Sequence, residues 1–225
     1  MRLFSYIVKN DAGFAPNPFG GVCTLTNCKP VIRRVAKKDD WIVGLTSTSA
    51  DFGDHEKRVR VVYVMKVTDK LTMEEYDDWC NKQLKIKIPK IPGKFYEEFV
   101  GDCIYFKKTD EIKQRKSRHK EENMATDLGG KFSLMSDQFY YFGKNAPLLP
   151  EFLVGIKKNG RGHQSDLNDP YKEEFVKWII ENFEQNKIYG EPINKITSWK
   201  EKSPVCHCSK VNKTESEEDE KEALE

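Results

Sequence analysis

Cys28, followed by Lys29 and Pro30 and then by Arg33 and Arg34, sets a thiol beside three cations at the start of an expected helical turn. Positive charge and a helix start both favour the thiolate, the nucleophilic form of cysteine. Such a group would suit attack on a nucleobase or a nucleotide sugar. The competing reading is packing, because reduced cysteine is among the most buried residue types and Cys23 and Cys28 would fit as small fillers at a crowded turn. Packing is the favoured role for Cys28. Lys29 and Arg33 fall near the first turn of the helix, where phosphate is welcome.

A second candidate is Gly160-Arg161-Gly162-His163. Its glycines let backbone approach a ligand, Arg161 offers a bidentate fork, and His163 can take or give a proton near neutral pH. Aromatic residues could stack a base: Phe14 and Phe19, Trp41, and one face of the run Phe139 to Phe142, where Tyr140 and Phe142 alternate with Phe139 and Tyr141. Pro16 and Pro18 stiffen Phe14 to Phe19, with Asn17 between them, into an expected exposed rail. Cys206-His207-Cys208 is one tight cluster where zinc sites need two separated pairs, so no metal is expected there. There is no Walker loop, no His-Glu-x-x-His, no deaminase cysteine pair and no Gly-x-Ser-x-Gly, which weakens the case for the common enzyme classes considerably.

The elements that must position these residues are short. Leu3 to Val8, Trp41 to Leu45, Val61 to Val67, Asp102 to Lys107, Lys131 to Met135 and Gln138 to Phe142 carry the β-branched and aromatic content of strands. Pro30 to Lys37 reads as one or two helical turns. Thr72 with Glu75 three residues on is a capping box, and that helix should end near Lys82. Asp169 and Pro170 open the clearest helix, with Phe175, Val176, Ile179, Ile180 and Phe183 as its apolar stripe. Lys85 to Gly101 reads as loop, and Thr109 to Met124 as a charged polar stretch. The fold class is α+β, with a small mixed or antiparallel sheet and two or three flanking helices.

The Cys23 to Arg34 block, Asp39-Asp40-Trp41-Ile42-Val43-Gly44 and Val61 to Val67 together resemble the nucleotide modification associated domain of the second type, found in phages and bacteria near systems that modify DNA bases. The resemblance continues through Asp127-Leu128-Gly129-Gly130-Lys131-Phe132, Phe139-Tyr140-Tyr141-Phe142-Gly143, Gly160 to His163 and Tyr189-Gly190-Glu191-Pro192. The strand order also looks like the pseudouridine-synthase and archaeosine-transglycosylase type of barrel, a likeness that implies a barrel-like body with a base pocket.

Composition sets the remaining bounds. With 225 residues, 38% apolar and 33% charged, the chain still has thirteen Phe, nine Tyr and four Trp for a core. One domain over 1–200 and a flexible tail over 201–225 are expected, the tail acidic from about residue 214. Thr214 to Glu225 holds seven acids against one Lys, a net of −6, which leaves about +8 on the remainder. A body that basic suits a polyanionic partner. No apolar run reaches membrane-spanning length, and scattered cysteines suit reduced thiols in the cytoplasm.

The expected function is therefore a binding module for a nucleotide or modified base, with nucleotide or nucleic acid as partner and no cofactor. Phe14, Asn17, Phe19, Lys29, Arg33, Trp41, Tyr140, Arg161 and His163 would meet the ligand. The alternative is an enzyme with Cys28 as nucleophile or His163 as acid/base. What separates the two is whether a thiol or imidazole shares a pocket with aromatic side chains.

Overall fold

A computed structural model describes residues 1–48, 50, 52, 57–160 and 162–196. In chain order the elements are β1 (Leu3–Ile7), β2 (Cys23–Leu25), α1 (Pro30–Val35), β3 (Trp41–Leu45), β4 (Val61–Lys66), β5 (Asp69–Thr72), α2 (Met73–Gln83), α3 (Tyr96–Phe99), β6 (Tyr105–Lys108), β7 (Glu111–Gln114), α4 (Met124–Gly129), β8 (Phe132–Ser136), β9 (Gln138–Tyr141), β10 (His163–Gln164), α5 (Lys172–Asn182) and β11 (Lys187–Ile188). The class is α+β, as expected.

Six strands form one mixed sheet in the order β10-β1-β3-β4-β9-β11, with β1 parallel to β3. A three-stranded antiparallel sheet, β2-β8-β5, packs beside it, and β6 pairs with β7 as a hairpin. Among the described residues no sheet closes into the barrel that the likeness implied: β10 and β11 remain the two edges of the large sheet.

Both faces of that sheet are covered, which settles the alternation in Phe139 to Phe142. Tyr140 and Phe142, with Trp41 and Val43, pack under Phe175 and Ile179 of α5. Phe139 and Tyr141, with Phe4, Ile42 and Met65, pack under Ile32 of α1, Ala36 just beyond its end and Leu25 of β2. Gly44 exists for this layer, since a β-carbon there would collide with the Tyr63 ring. Tyr63 in turn shares a 2.9 Å hydrogen bond with the hydroxyl of Tyr6.

Three local expectations are corrected. The Phe14 to Phe19 segment is no exposed rail: Phe14, Asn17 and Phe19 are buried, and Asn17 pairs with Thr24 as a β-bridge. The helix α5 starts at Lys172, after a 3-10 stretch over Asp166–Tyr171 that contains Pro170, so Asp169 does not cap it. That stretch is tethered to β1, because Asn168 Nδ2 donates to Leu3 O at 2.8 Å and to Ser5 Oγ at 3.0 Å. Ile180 faces solvent, while Trp178 joins the α5 packing instead. The capping box of α2 forms as read, with the Thr72 hydroxyl accepting from Glu75 N and the Glu75 carboxylate accepting from Thr72 N.

Candidate active site

β2 enters α1 through the turn Thr26-Asn27-Cys28-Lys29, and that turn is strained. Cys28 has φ 60° and Lys29 φ 41°, two consecutive left-handed residues without a glycine. Each costs on the order of 1–3 kcal/mol, and such strain persists only where surroundings over-determine it. The surroundings are visible. Thr26 Oγ1 meets Ser133 Oγ at 2.6 Å, Asn27 Nδ2 donates to Asp102 O at 2.8 Å, and Cys28 N donates to Asp127 Oδ1 at 2.9 Å.

The side chain of Cys28 meets an imidazole. Cys28 Sγ lies 3.6 Å from His119 Nε2, within hydrogen-bond reach for sulfur. On the far side of the ring, His119 Nδ1 is 2.5 Å from Asp127 Oδ2. Asp127 also accepts from the Tyr105 hydroxyl at 2.8 Å. The Asp127 carboxylate accepts from Cys28 N and from Tyr105, and as an acceptor it favours the His119 tautomer with the proton on Nδ1 and the Nε2 lone pair toward the thiol. A thiol, a base and a group that orients the base stand in line, which is the arrangement that activates a nucleophile.

Cys28, His119 and Asp127 could also suggest a metal centre, as their ligating atoms cluster within 4.8 Å. Among the described residues, both Asp127 oxygens and one imidazole nitrogen already share hydrogen bonds within the protein, and Cys28 Sγ and His119 Nε2 are the remaining pair.

Arg33 braces the group from beneath. It is fully buried, and its Nε donates to Cys28 O at 2.8 Å, one terminal nitrogen to Phe132 O at 2.9 Å, and the other to Asp127 O. Desolvation lowers its pKa to about 10, opposed by the charge of Asp127 and by Cys28, so it stays cationic at neutral pH. Arg34 adds a 2.9 Å bond to Gly129 O, which ties α1 to α4 a second time. Gly130 is required by proximity, since a β-carbon there would overlap the Arg33 guanidinium. Gly130→Ala should displace Arg33 and lower the thermal midpoint by several degrees, given a small-to-large cost of about 1–3 kcal/mol. An unchanged midpoint would mean that the guanidinium relocates freely.

The ring of Phe14 tilts against His119 with centroids 4.9 Å apart. Lys29 sets its Nζ 4.5 Å above the Tyr6 ring. The other sequence candidates are distributed as follows. Asn17 is spent on structure: its amide donates to Val100 O, and its oxygen accepts from Phe19 N and from the buried Lys87. Phe19 packs edge-on to Tyr96. Trp41 and Tyr140 lie in the α5 core. Arg161 lies outside the described residues, as do Cys206, His207, Cys208 and the acidic tail.

His163 does not join Cys28. It sits on β10 opposite Tyr6, is buried, and has no hydrogen-bond partner on Nε2. Burial first, then nearby Lys29 and Lys158, lower its pKa to about 4 from 6.5. As pH drops through 6.5 the unfolded chain takes up a proton at His163 that the folded chain refuses until about 4. Stability should therefore fall with pH across that window, by about 2 kcal/mol at pH 5. Urea unfolding of wild type and His163→Gln at neutral and mildly acidic pH should give curves that converge on acidification. Parallel curves would contradict the assignment.

Sequence reading missed His119 and Tyr105 altogether and saw Asp127 only as part of a motif. Residues 1–201 match the family description of nucleotide modification associated domain 2. The chain belongs to that family. Comparison with curated proteins gave no match, and comparison with solved structures gave none. Within the nucleotide modification associated domain 2 span, the motifs quoted from the sequence now have physical roles. Asp127 is the hub of the thiol site and Gly130 makes room for Arg33. Gly143, at φ 53°, lets Glu191 O accept from Lys144 N at 2.8 Å, which docks the Tyr189 to Pro192 motif.

Proposed function

We propose that this member of the nucleotide modification associated domain 2 family is a thiol-dependent enzyme acting on a nucleobase or nucleotide. The observation that carries the reading is the line Cys28 Sγ, His119 Nε2, His119 Nδ1, Asp127 Oδ2, with separations of 3.6 and 2.5 Å. The family name supplies the substrate class, association with nucleotide modification. The thiol and the imidazole lie beside the aromatic side chains of Phe14 and Tyr105, which supports the reading.

In the reaction, the Cys28 proton passes to His119 Nε2 as sulfur bonds to an electrophilic carbon of the substrate. Asp127 holds the imidazolium so formed, and Tyr105 and Cys28 N keep that carboxylate in place. His119 then returns the proton to the group displaced, or to the carbon framework if the sulfur adds to a double bond. Burial strengthens each of these electrostatic terms. Free, buried Cys23, Cys28, Cys80 and Cys103 fit a reducing compartment such as the cytoplasm.

The test is intact-mass spectrometry after incubation with deoxynucleotides bearing ordinary and modified bases. An adduct that maps to Cys28 and is absent from Cys28→Ala is the expected result. A nucleotide that co-purifies and is released without any covalent intermediate, equally from wild type and Cys28→Ala, would return the protein to the class of binding modules.

A further inference from the structure

Three amide side chains around the thiol site each keep one buried polar atom without a hydrogen-bond partner among the described residues: Oδ1 of Asn27, Oε1 of Gln114 and Nδ2 of Asn123. Asn27 and Asn123 are fully buried, and Gln114 is half-buried with that oxygen enclosed. Buried polar atoms are nearly always paired, so three unpaired ones around a single site point to a ligand or to ordered water. The other half of each amide fixes which atom is left over. Asn27 Nδ2 donates to Asp102 O at 2.8 Å, Gln114 Nε2 donates to His119 O at 2.7 Å, and Asn123 Oδ1 accepts from Lys120 N at 3.1 Å. A backbone carbonyl can only accept and a backbone N–H can only donate, so none of the three amides can turn over. They offer two acceptors and one donor group.

The fold sets all three beside the line from thiol to carboxylate. Asn27 precedes Cys28 in the strained turn. Gln114 on β7 stands directly opposite Tyr105 on β6, and opposed residues of an antiparallel pair share a face. The Tyr105 hydroxyl on that face reaches Asp127. Asn123 has helical backbone angles just before α4, and Asp127 follows four residues later, one turn along the same helix face.

We propose that Asn27, Gln114 and Asn123 are the specificity-determining residues of the thiol site and that they select a nucleobase bearing an exocyclic amine. The selection rests on the thiol turn being where the nucleotide is held, and it needs no bond to sulfur. Two buried acceptors require two N–H hydrogens from the ligand, and the Asn123 amide requires an acceptor beside them. Adenine, cytosine and guanine each carry an amino group with two hydrogens on an edge that also holds an acceptor. Thymine and uracil in a nucleotide carry a single ring N–H there, so one acceptor would stay buried and unpaired.

Isothermal titration calorimetry of the full chain with the 5′-monophosphates of deoxyadenosine, deoxycytidine, deoxyguanosine, deoxyuridine and thymidine tests the proposal. The tightest binder should be one of the three amino-bearing nucleotides, ahead of both the uracil and the thymine nucleotide by about tenfold or more. Gln114→Leu and Gln114→Glu both lose the bond to His119 O, but only Gln114→Leu loses the acceptor. The selectivity ratio should collapse toward one in Gln114→Leu and persist in Gln114→Glu, a difference that a purely structural amide would not produce. Thermal midpoints report whether both variants are folded, and the wild-type series decides if Gln114→Leu is not. A uracil or thymine nucleotide that binds as tightly as the best amino-bearing one would overturn the proposal. So would a ratio that moves equally in both folded variants, or no binding by any of the nucleotides; the amides would then be bridged by internal water. The expected selectivity without any adduct on Cys28 would keep this inference and reject the thiol chemistry, while an adduct formed equally with all five would do the reverse.

Discussion

Arg33→Met is expected to lower the free energy of unfolding by about 3–5 kcal/mol, the usual cost of removing one member of a buried charge group. Methionine matches the length of the stem but leaves the carbonyls of Cys28, Asp127 and Phe132 without the donors that now reach them. The carboxylate of Asp127 would also lose its buried counter-charge. Arg33→Lys should recover only part of the loss, because one ammonium cannot span three carbonyls set around a planar fork. Urea unfolding would read both as a shift in midpoint at constant slope. A loss below about 1 kcal/mol for Arg33→Met would show that the strained turn is held by other contacts.

Removing His119 should have the larger effect on chemistry. His119→Ala takes away the acceptor for the Cys28 proton, and general-base assistance contributes on the order of 10²–10⁴-fold. Alkylation of Cys28 by iodoacetamide at neutral pH should slow by a factor in that range, as should any turnover. Since His119 is buried, His119→Gln gives a second variant that fills more of the space, and circular dichroism checks that both are folded. Asp127→Asn should slow the reaction as well, because an amide can donate toward Nδ1 and so reverse the tautomer. Rates within twofold of wild type in folded His119 variants would separate the imidazole from the reactivity of the thiol.

Much of the scaffold was legible from residue types. β-Branched and aromatic runs marked β1, β3, β4, β8 and β9, and Thr72 with Glu75 marked the start of α2, because these signals act over a few residues. Asp169 failed as a cap because a distant tether, Asn168 to β1, held its segment in a 3-10 turn. The rail failed because proline stiffness says nothing about burial, and Phe14 to Phe19 is covered by other parts of the chain.

The thiol site was half legible. Cys28 and Arg33 stood out by their neighbours, but Arg33 proved to be a brace inside the protein with its fork on backbone carbonyls. His119 was hidden in a run of cations from Lys113 to Lys120 that reads as a solvated surface. The hairpin β6–β7 and the turn after it bring that imidazole under Phe14, a placement carried by contacts 91 residues apart in the chain. The one local signal was a histidine eight residues ahead of the motif aspartate, and that spacing has no helical or strand meaning by itself.

The proposed chemistry requires Cys28 to be a nucleophile held by His119 and Asp127. The most direct measurement is peptide-resolved alkylation of the native wild-type protein by iodoacetamide at about pH 6, where an ordinary thiol is almost wholly protonated. Rapid, selective modification of Cys28 is expected, ahead of the similarly buried Cys23, Cys80 and Cys103, because His119 takes its proton. A Cys28 that stays unmodified until the protein unfolds, at the same rate as those three, would contradict it and leave the thiol as packing.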